Sequence, residues 1–403
     1  MRGLTEAFLS PAAREALRYP APGAWMPPLP PGVVRLSAGY PFPESVPVAG
    51  LEAAAHGLLS REGDLPLHYL GSPSMAELPA QLAKRMAVRG MPVQEGELLV
   101  TSGACQAIDL AARALLGPDD LVAVEAPTYM EALEILRNYT PHAVSYPVDA
   151  QGLDVEAMAR DLAHRRAAGL PLPKVLYTVA SFQNPTGTAL PLDRRRRLLE
   201  LAAEYGFFIL EDDAYGELAF QAPLPTLKSL DRAGRVAYLG SLSKVVAPGL
   251  RVGWLAGPAW LVQAASVFKK DLDHPLGWAV TALYLKSVDL NERVAGLGRS
   301  YAQRRDWLLD ALQRCMPAGV AWSRPEGGFF VWLTLPEGLD AQALLEPALR
   351  KGVAYVPGRH FYLPAEEREG ARHLRLSFSY LPQADLERGV TLLAACLNEQ
   401  GAV

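Results

Sequence analysis

Lys244 lies in the segment Gly240-Ser241-Leu242-Ser243-Lys244-Val245-Val246-Ala247-Pro248-Gly249-Leu250-Arg251, behind two serines and ahead of an arginine. Only eight of the 39 basic residues are lysines, so a lysine in this setting is selective use of a scarce residue. An amine among hydroxyls and a guanidinium is equipped for one kind of chemistry. The amine condenses with a carbonyl to a Schiff base, while the hydroxyls and the guanidinium hold a phosphate dianion on the same molecule.

Further polar clusters stand at the ends of apolar runs, which is where open α/β sheets bind their ligands. Asn184-Pro185-Thr186-Gly187 follows the run 174–181, and its Pro and Gly suit a tight corner. Glu211-Asp212-Asp213-Ala214-Tyr215 ends the run Phe207-Phe208-Ile209-Leu210. One carboxylate there could keep a ring nitrogen protonated, so that the ring accepts carbanion charge. Thr101-Ser102-Gly103-Ala104-Cys105 opens a helix whose free N–H groups and positive dipole end face an anion. Tyr129 closes Glu125-Ala126-Pro127-Thr128-Tyr129, and Tyr69 precedes Gly71-Ser72-Pro73. In His373-Leu374-Arg375-Leu376-Ser377-Phe378-Ser379, alternation sets Arg375, Ser377 and Ser379 on one face of a strand. A guanidinium so fixed is a rigid fork for a carboxylate.

In order and spacing these segments resemble the fold-type I, class I/II aminotransferases, which use pyridoxal 5'-phosphate. The likeness runs from Ala38-Gly39-Tyr40-Pro41 to Arg375 and is nearest to the 2-aminoadipate, kynurenine and aromatic aminotransferases. It implies that Lys244 forms the Schiff base and then moves protons as the acid–base group. The family pattern Asp-x-x-Tyr picks Asp212 over Asp213 for the ring nitrogen, because only Asp212 has a tyrosine, Tyr215, three residues on. Tyr215 and Asn184 would serve the phenolic oxygen, and Tyr129 would stack on the ring. Gly103, Ala104 and Cys105, with Ser241, Ser243 and Arg251, would hold the phosphate. The family often has Ser or Thr beside that glycine, so here backbone donors carry more of the binding. Tyr69 would cross to the neighbouring subunit's phosphate, which implies a homodimer with shared sites. Arg375, Asn184 and Gly39 would hold the substrate's α-carboxylate end. Arg14, in the helix expected over 10–18, matches an arginine that recognises a distal carboxylate. The expected reaction moves an amino group from 2-aminoadipate, glutamate or a large aliphatic or aromatic L-amino acid to a 2-oxo acid such as 2-oxoglutarate. The same constellation also serves C–S lyases, decarboxylases and pyridoxal-phosphate-sensing regulators. The regulators carry a winged-helix module, for which no room is expected ahead of the arm.

At 403 residues the chain is long enough for two lobes around large cores. Half of it is apolar, with no window of the length and hydropathy of a membrane span and no secretory signal at its start. A net charge of −4 without a basic tail argues against nucleic acid. Cys105, Cys315 and Cys396 are too few and too scattered for a disulfide framework or a zinc site, and no metal is expected. The expectation is a cytoplasmic protein whose partners are small molecules and a second copy of itself.

Short unalternating apolar runs at 98–102, 121–126, 142–148, 175–181, 207–212, 236–240 and 252–256 predict strands covered on both faces. Helical stretches between them (105–116, 129–138, 154–167, 193–205) predict an α/β fold: a mostly parallel seven-stranded sheet flanked by helices. Six prolines in 20–32 predict an extended arm. Past Leu261 come long periodic segments, strands near 327–333 and 372–380 and helices near 341–351 and 384–399. The boundaries expected are 1–48 for the arm and part of a smaller α+β domain, 49–290 for the large cofactor-binding domain, and 291–403 for the rest of the small one.

Overall fold

A strand hidden by helices on both faces has no polar side to display, and Val175–Thr178, Phe208–Asp212, Val236–Ser241 and Gly253–Ala256 are buried at every position, whereas Ala143–Asp149, toward the sheet edge, is only partly covered. In a computed structural model that describes residues 8–17, 26–270 and 273–400, all seven runs become strands of one sheet. The arm holds β1 (Val34–Arg35). The sheet then takes β2 (Leu98–Thr101), β3 (Val122–Ala126), β4 (Ala143–Asp149), β5 (Gly152–Leu153), β6 (Val175–Thr178), β7 (Phe208–Asp212), β8 (Val236–Ser241) and β9 (Gly253–Ala256). Their order across the sheet is β2-β9-β8-β7-β6-β3-β4-β5. Pairing from β8 through β7, β6 and β3 to β4 is parallel, and β9 is antiparallel to both its neighbours. The sheet therefore has eight strands, one beyond the expected seven. The extra one, β5, is two residues folded back on β4 around Gly152 at φ 86°, too short to register as an apolar run.

Because β2, β3, β6, β7 and β8 all run the same way, the loops leaving them emerge along one edge of the sheet. Those loops carry Gly103, Tyr129, Asn184, Tyr215 and Lys244. The covering helices start and stop where the sequence provides caps. Helix Val155–Ala168 opens at Asp154, whose carboxylate accepts the Ala157 N–H at 2.9 Å, and closes at left-handed Gly169.

The periodic stretch after Leu261 forms three helices, Ala259–Phe268, Pro275–Ser287 and Leu290–Cys315. Beyond them lie β10 (Ala321–Trp322), β11 (Phe330–Thr334), β12 (Val353–Ala354), β13 (Val356–Pro357) and β14 (His373–Ser377). Four of these make an antiparallel sheet in the order β10-β11-β14-β13. β12 pairs in parallel with β1, Val34 opposite Val353, which ties the arm to the C-terminal part. One apolar cluster runs from Leu78 and Trp254 to Leu374 and Phe378, so the two sheets share a core. Among the described residues, no helix is long and apolar enough to cross a membrane.

Candidate active site

Lys244 follows the carboxyl end of β8, and its Nζ donates to the Gly39 carbonyl at 3.1 Å. The amine stands 5.8 Å from the centre of the Tyr215 ring and 5.7 Å from that of Phe329. Burial, reinforced by the Arg375 guanidinium, brings it down to about 8. A useful fraction is then an unprotonated nucleophile near neutral pH.

Asp212 ends β7 and is only 4% exposed. Its Oδ2 accepts the Tyr177 hydroxyl at 2.7 Å, while Oδ1 is buried without a partner. Burial raises the carboxyl to about 6, against the pull of the Tyr177 hydrogen bond. The neighbouring acids are engaged elsewhere. Asp213 accepts from Arg89 Nη2 at 2.7 Å and the Tyr238 hydroxyl at 2.9 Å. Glu211 accepts the Leu227 and Lys228 N–H groups at 2.7 and 2.8 Å. Of the three, only Asp212 lines the cavity beside Lys244.

Gly103 precedes helix Ala104–Leu115 at φ 91°. A Cβ on it would stand 2.4 Å from Arg251 Nη2, and a Cβ on Gly253 would stand 2.4 Å from the Gly103 carbonyl carbon. The two glycines thus let the guanidinium lie against the start of the helix. Arg251 adopts φ 51°, and its Nη2 donates to the Ser102 carbonyl at 2.8 Å. Ser241 Oγ donates to Ser243 Oγ at 2.9 Å. Cys105 Sγ lies 3.7 Å from the Tyr129 hydroxyl, and burial pushes its thiol up, so it is no thiolate nucleophile. Together with Ala104, Asn184, Tyr215 and Lys244, these groups enclose a chamber of about 160 Å³.

A second chamber of about 350 Å³ adjoins it, and Tyr40, Tyr129, Asn184, Tyr215 and Lys244 line both. Arg375, on β14, forms part of its wall and is 6% exposed. Its Nη1 donates to Asn184 Oδ1 at 2.7 Å and its Nη2 to the Ser37 carbonyl at 3.1 Å, while Nε is buried without a partner. The Phe330 and Phe361 rings lie 4.1 and 5.2 Å from the guanidinium carbon. Among the described residues no carboxylate forms a salt bridge with Arg375, and Glu131 in the same chamber acts on it only through space, so the buried fork is left open for a ligand's carboxylate.

Lys244, Asp212, Tyr129, Tyr215, Asn184, Ala104, Cys105, Ser241, Ser243, Arg251, Gly39 and Arg375 thus surround two joined chambers, with Gly103 packed behind Arg251. Two expected residues are elsewhere. Tyr69 is 89% exposed and lines neither chamber. Arg14 is exposed on helix Pro11–Ala16 and lines neither chamber; residues 18–25, which follow it, lie outside the described residues. Four groups without a signal in the sequence join the site. Tyr177 reaches Asp212 from the neighbouring strand, and Met26, Arg35 and Glu131 line the second chamber. Tyr177 is identifiable only once the β6–β7 register is known.

The fold and the site at the carboxyl edge of its sheet are those of the fold-type I aminotransferases. The family described as "Aminotransferase class I and II" matches residues 32–393, and the chain belongs to it. It is 37% identical over 373 residues to the aromatic-amino-acid aminotransferase 1 of Thermococcus litoralis, covering 91% of this chain and 88% of that protein. It is equally 37% identical to the 2-aminoadipate transaminase of Thermus thermophilus, over 91% of each. The crystal structure of the α-aminoadipate aminotransferase LysN from Thermus thermophilus, complexed with N-(5'-phosphopyridoxyl)-L-leucine, superposes with a TM-score of 0.86. The identity is 35%, and 99% of each chain is covered.

Proposed function

We propose that this chain is a pyridoxal-phosphate-dependent aminotransferase that takes a large apolar, aromatic or acidic L-amino acid and passes its amino group to a 2-oxo acid. One observation carries the reading: a depressed lysine, a buried unpartnered carboxylate oxygen and a buried unpaired guanidinium face two joined chambers. The residues present fit the cofactor. Asp212 Oδ1, without a partner, suits a ring N–H. The helix start at Gly103, the two serines and Arg251 suit a phosphate. When bound, pyridoxal phosphate supplies an aldehyde for the amino group and a cationic ring that draws electron density from the substrate's Cα.

The protein's own groups do the rest. Lys244 Nζ would hold the cofactor covalently and, once displaced by the substrate amine, would serve as the group that takes and returns the substrate's Cα proton. Asp212 would be held ionised by a protonated ring nitrogen, since a cation there repays the cost of burying its charge. Tyr129 would cover the ring, and Tyr215 and Asn184, which line both chambers, would hydrogen-bond the phenolic oxygen. Gly103, Ala104 and Cys105, by their backbone, and Ser241, Ser243 and Arg251, by their side chains, would hold the phosphate. Arg375 binds the α-carboxylate, with Asn184 bracing the fork and the Gly39 backbone closing the wall, so the Cα–H bond is aimed at Lys244. Met26, Leu29 and Val356 give the second chamber the apolar wall that a large side chain needs. The homodimer reading, with Tyr69 contributed by the second copy, and a cytoplasmic location belong to the same proposal.

Half-reaction spectra of the cofactor-loaded protein test it. Glutamate or phenylalanine should convert the cofactor to its pyridoxamine form and release the matching 2-oxo acid. Release of ammonia and pyruvate from cysteine-type substrates, with no pyridoxamine form, would instead make it a lyase.

A further inference from the structure

Glu131 is the acid of the second chamber, and nothing in the reading above uses it. It lies in the first turn of helix Met130–Arg137, directly after the stretch that delivers Tyr129 to the ring face. The helix start favours a negative charge at this position. Its Oε2 is buried and has no hydrogen-bond partner. Among the described residues it forms no salt bridge; Lys244 and Arg375, in the same chamber, feel its charge but do not hydrogen-bond its Oε2. A buried carboxylate oxygen left unpartnered costs free energy unless something brought into the chamber satisfies it.

The geometry of the bound substrate limits what that partner is. If Arg375 holds the α-carboxylate and Lys244 faces the amine, the side chain is left with the wall made by Met26, Leu29, Tyr40, Glu131 and Val356. That wall is apolar apart from Tyr40 and Glu131, and Arg35 lines the chamber beside it. An anion at the end of a side chain is drawn to Arg35, and a plain hydrocarbon packs on the apolar residues while leaving the Glu131 oxygen unpaired. A hydroxyl or N–H at the end of an otherwise apolar side chain packs on the same residues and gives that oxygen a partner.

We propose that Glu131 is a specificity-determining residue that accepts a hydrogen bond from a hydroxyl or N–H donor on an aromatic substrate side chain. The proposal rests on the reading of Arg375 as the α-carboxylate holder. It does not depend on turnover, because recognition of the donor is a binding event. A charge-assisted hydrogen bond of this kind gives a discrimination of roughly tenfold or more over the analogue that lacks the donor.

The test uses the cofactor-loaded enzyme and two non-reacting ligands without an amine, 3-(4-hydroxyphenyl)propionate and 3-phenylpropionate, titrated by calorimetry. The wild-type protein should bind the hydroxylated ligand about tenfold or more tightly. Glu131→Ala should lose that preference while binding 3-phenylpropionate as well as before. Glu131→Gln, which keeps the shape and a neutral acceptor, should retain part of it. An equal ratio in wild type and Glu131→Ala, or an equal loss of both ligands, overturns the proposal; so does full preference in Glu131→Gln if only that variant folds. Preserved discrimination in a protein that fails to transaminate would support this assignment and count against the aminotransferase reading alone.

Discussion

Arg375 Nη1 donates to Asn184 Oδ1 at 2.7 Å, joining a strand of the C-terminal sheet to a loop of the large sheet across 191 positions of chain. Asn184 lines both chambers, so one side chain touches the places proposed for the cofactor and for the substrate carboxylate. Arg375→Lys keeps the charge but loses the fork. It should lower kcat/KM by about a hundredfold, equivalent to about 3 kcal/mol, with the cofactor's visible band unchanged. Asn184→Ala should weaken cofactor affinity and substrate binding together. The double variant should lose less than the product of the single losses, because the two groups act through one hydrogen bond. Multiplicative losses in a kinetic double-mutant cycle would contradict that coupling.

Lys244 supplies the simplest check. Lys244→Ala should abolish turnover and remove the visible band of the lysine-linked cofactor, while the phosphate groups still retain cofactor non-covalently. In the unloaded wild-type chain the amine titrates at about 8, so cofactor attachment should speed up as the pH rises from about 7 to 9. A stopped-flow pH series that stays flat over that interval would place the amine in a different environment.

Asp212 makes a prediction with a definite sign. Its folded carboxyl sits at about 6 against an ordinary 3.8, so the cofactor-free folded chain holds this proton longer than the unfolded chain. Its contribution to stability therefore falls as the pH rises from about 4 through about 6, and stays low above that. Asp212→Asn keeps an acceptor for Tyr177 and removes the buried charge. The cofactor-free variant should be more stable than wild type at pH 8 by about 1–3 kcal/mol, with the gain fading below pH 5. The loaded variant should lose most of its activity. Thermal unfolding of both proteins at several pH values checks the sign, and a gain that grows on acidification would refute it.

How much of this was legible beforehand depends on the range of the information. The large sheet's seven principal strands and the helix 155–168 could be read because burial and capping are written locally, in apolar runs and in residues such as Asp154 and Gly169. Lys244, Asp212, Asn184 and Arg375 could be read because each stands at a strand end or on an alternating strand face. Tyr177 could not, since its hydroxyl meets Asp212 only through the register of β6 against β7. Glu131 carries no local signal, being one acid in the first turn of a helix. Its chamber exists only after Arg375 and Lys244, brought from distant parts of the chain, close the other walls. β5 was missed because two residues carry no periodicity.

The segment around Tyr69 bears on the oligomeric state. Leu67, Tyr69 and Leu70 are 63, 89 and 98% exposed, a cluster of apolar surface that a single chain gains nothing by displaying. A second copy covering it would bring Tyr69 toward that copy's cofactor chamber, as the homodimer proposal requires. Leu70→Glu should then shift the protein from dimer to monomer in light scattering and weaken cofactor affinity with it. A variant that remains dimeric with normal affinity would place the interface on another surface.

Arg35 and Arg14 give competing expectations for acidic substrates, and kinetics separates them. Arg14 was expected over the site from its place in the first helix, yet it is exposed and outside both chambers. Arg35 sits on β1, which β12 holds in parallel register, and lines the second chamber from its exposed side. A guanidinium at the mouth can pair with a distal carboxylate and offers an apolar side chain nothing, which is the discrimination a dual-substrate enzyme needs. Such a partly solvated pair is worth about 1–2 kcal/mol. Arg35→Ala should therefore raise KM for glutamate and 2-aminoadipate about five- to thirtyfold while leaving phenylalanine and leucine nearly unchanged. Arg14→Ala should do the same only if the first helix swings over the mouth when an acidic substrate binds. Loss confined to Arg35→Ala assigns the distal carboxylate to the strand, and loss confined to Arg14→Ala assigns it to the helix. Equal losses on acidic and apolar substrates from Arg35→Ala would show that this arginine shapes the chamber wall and recognises no charge.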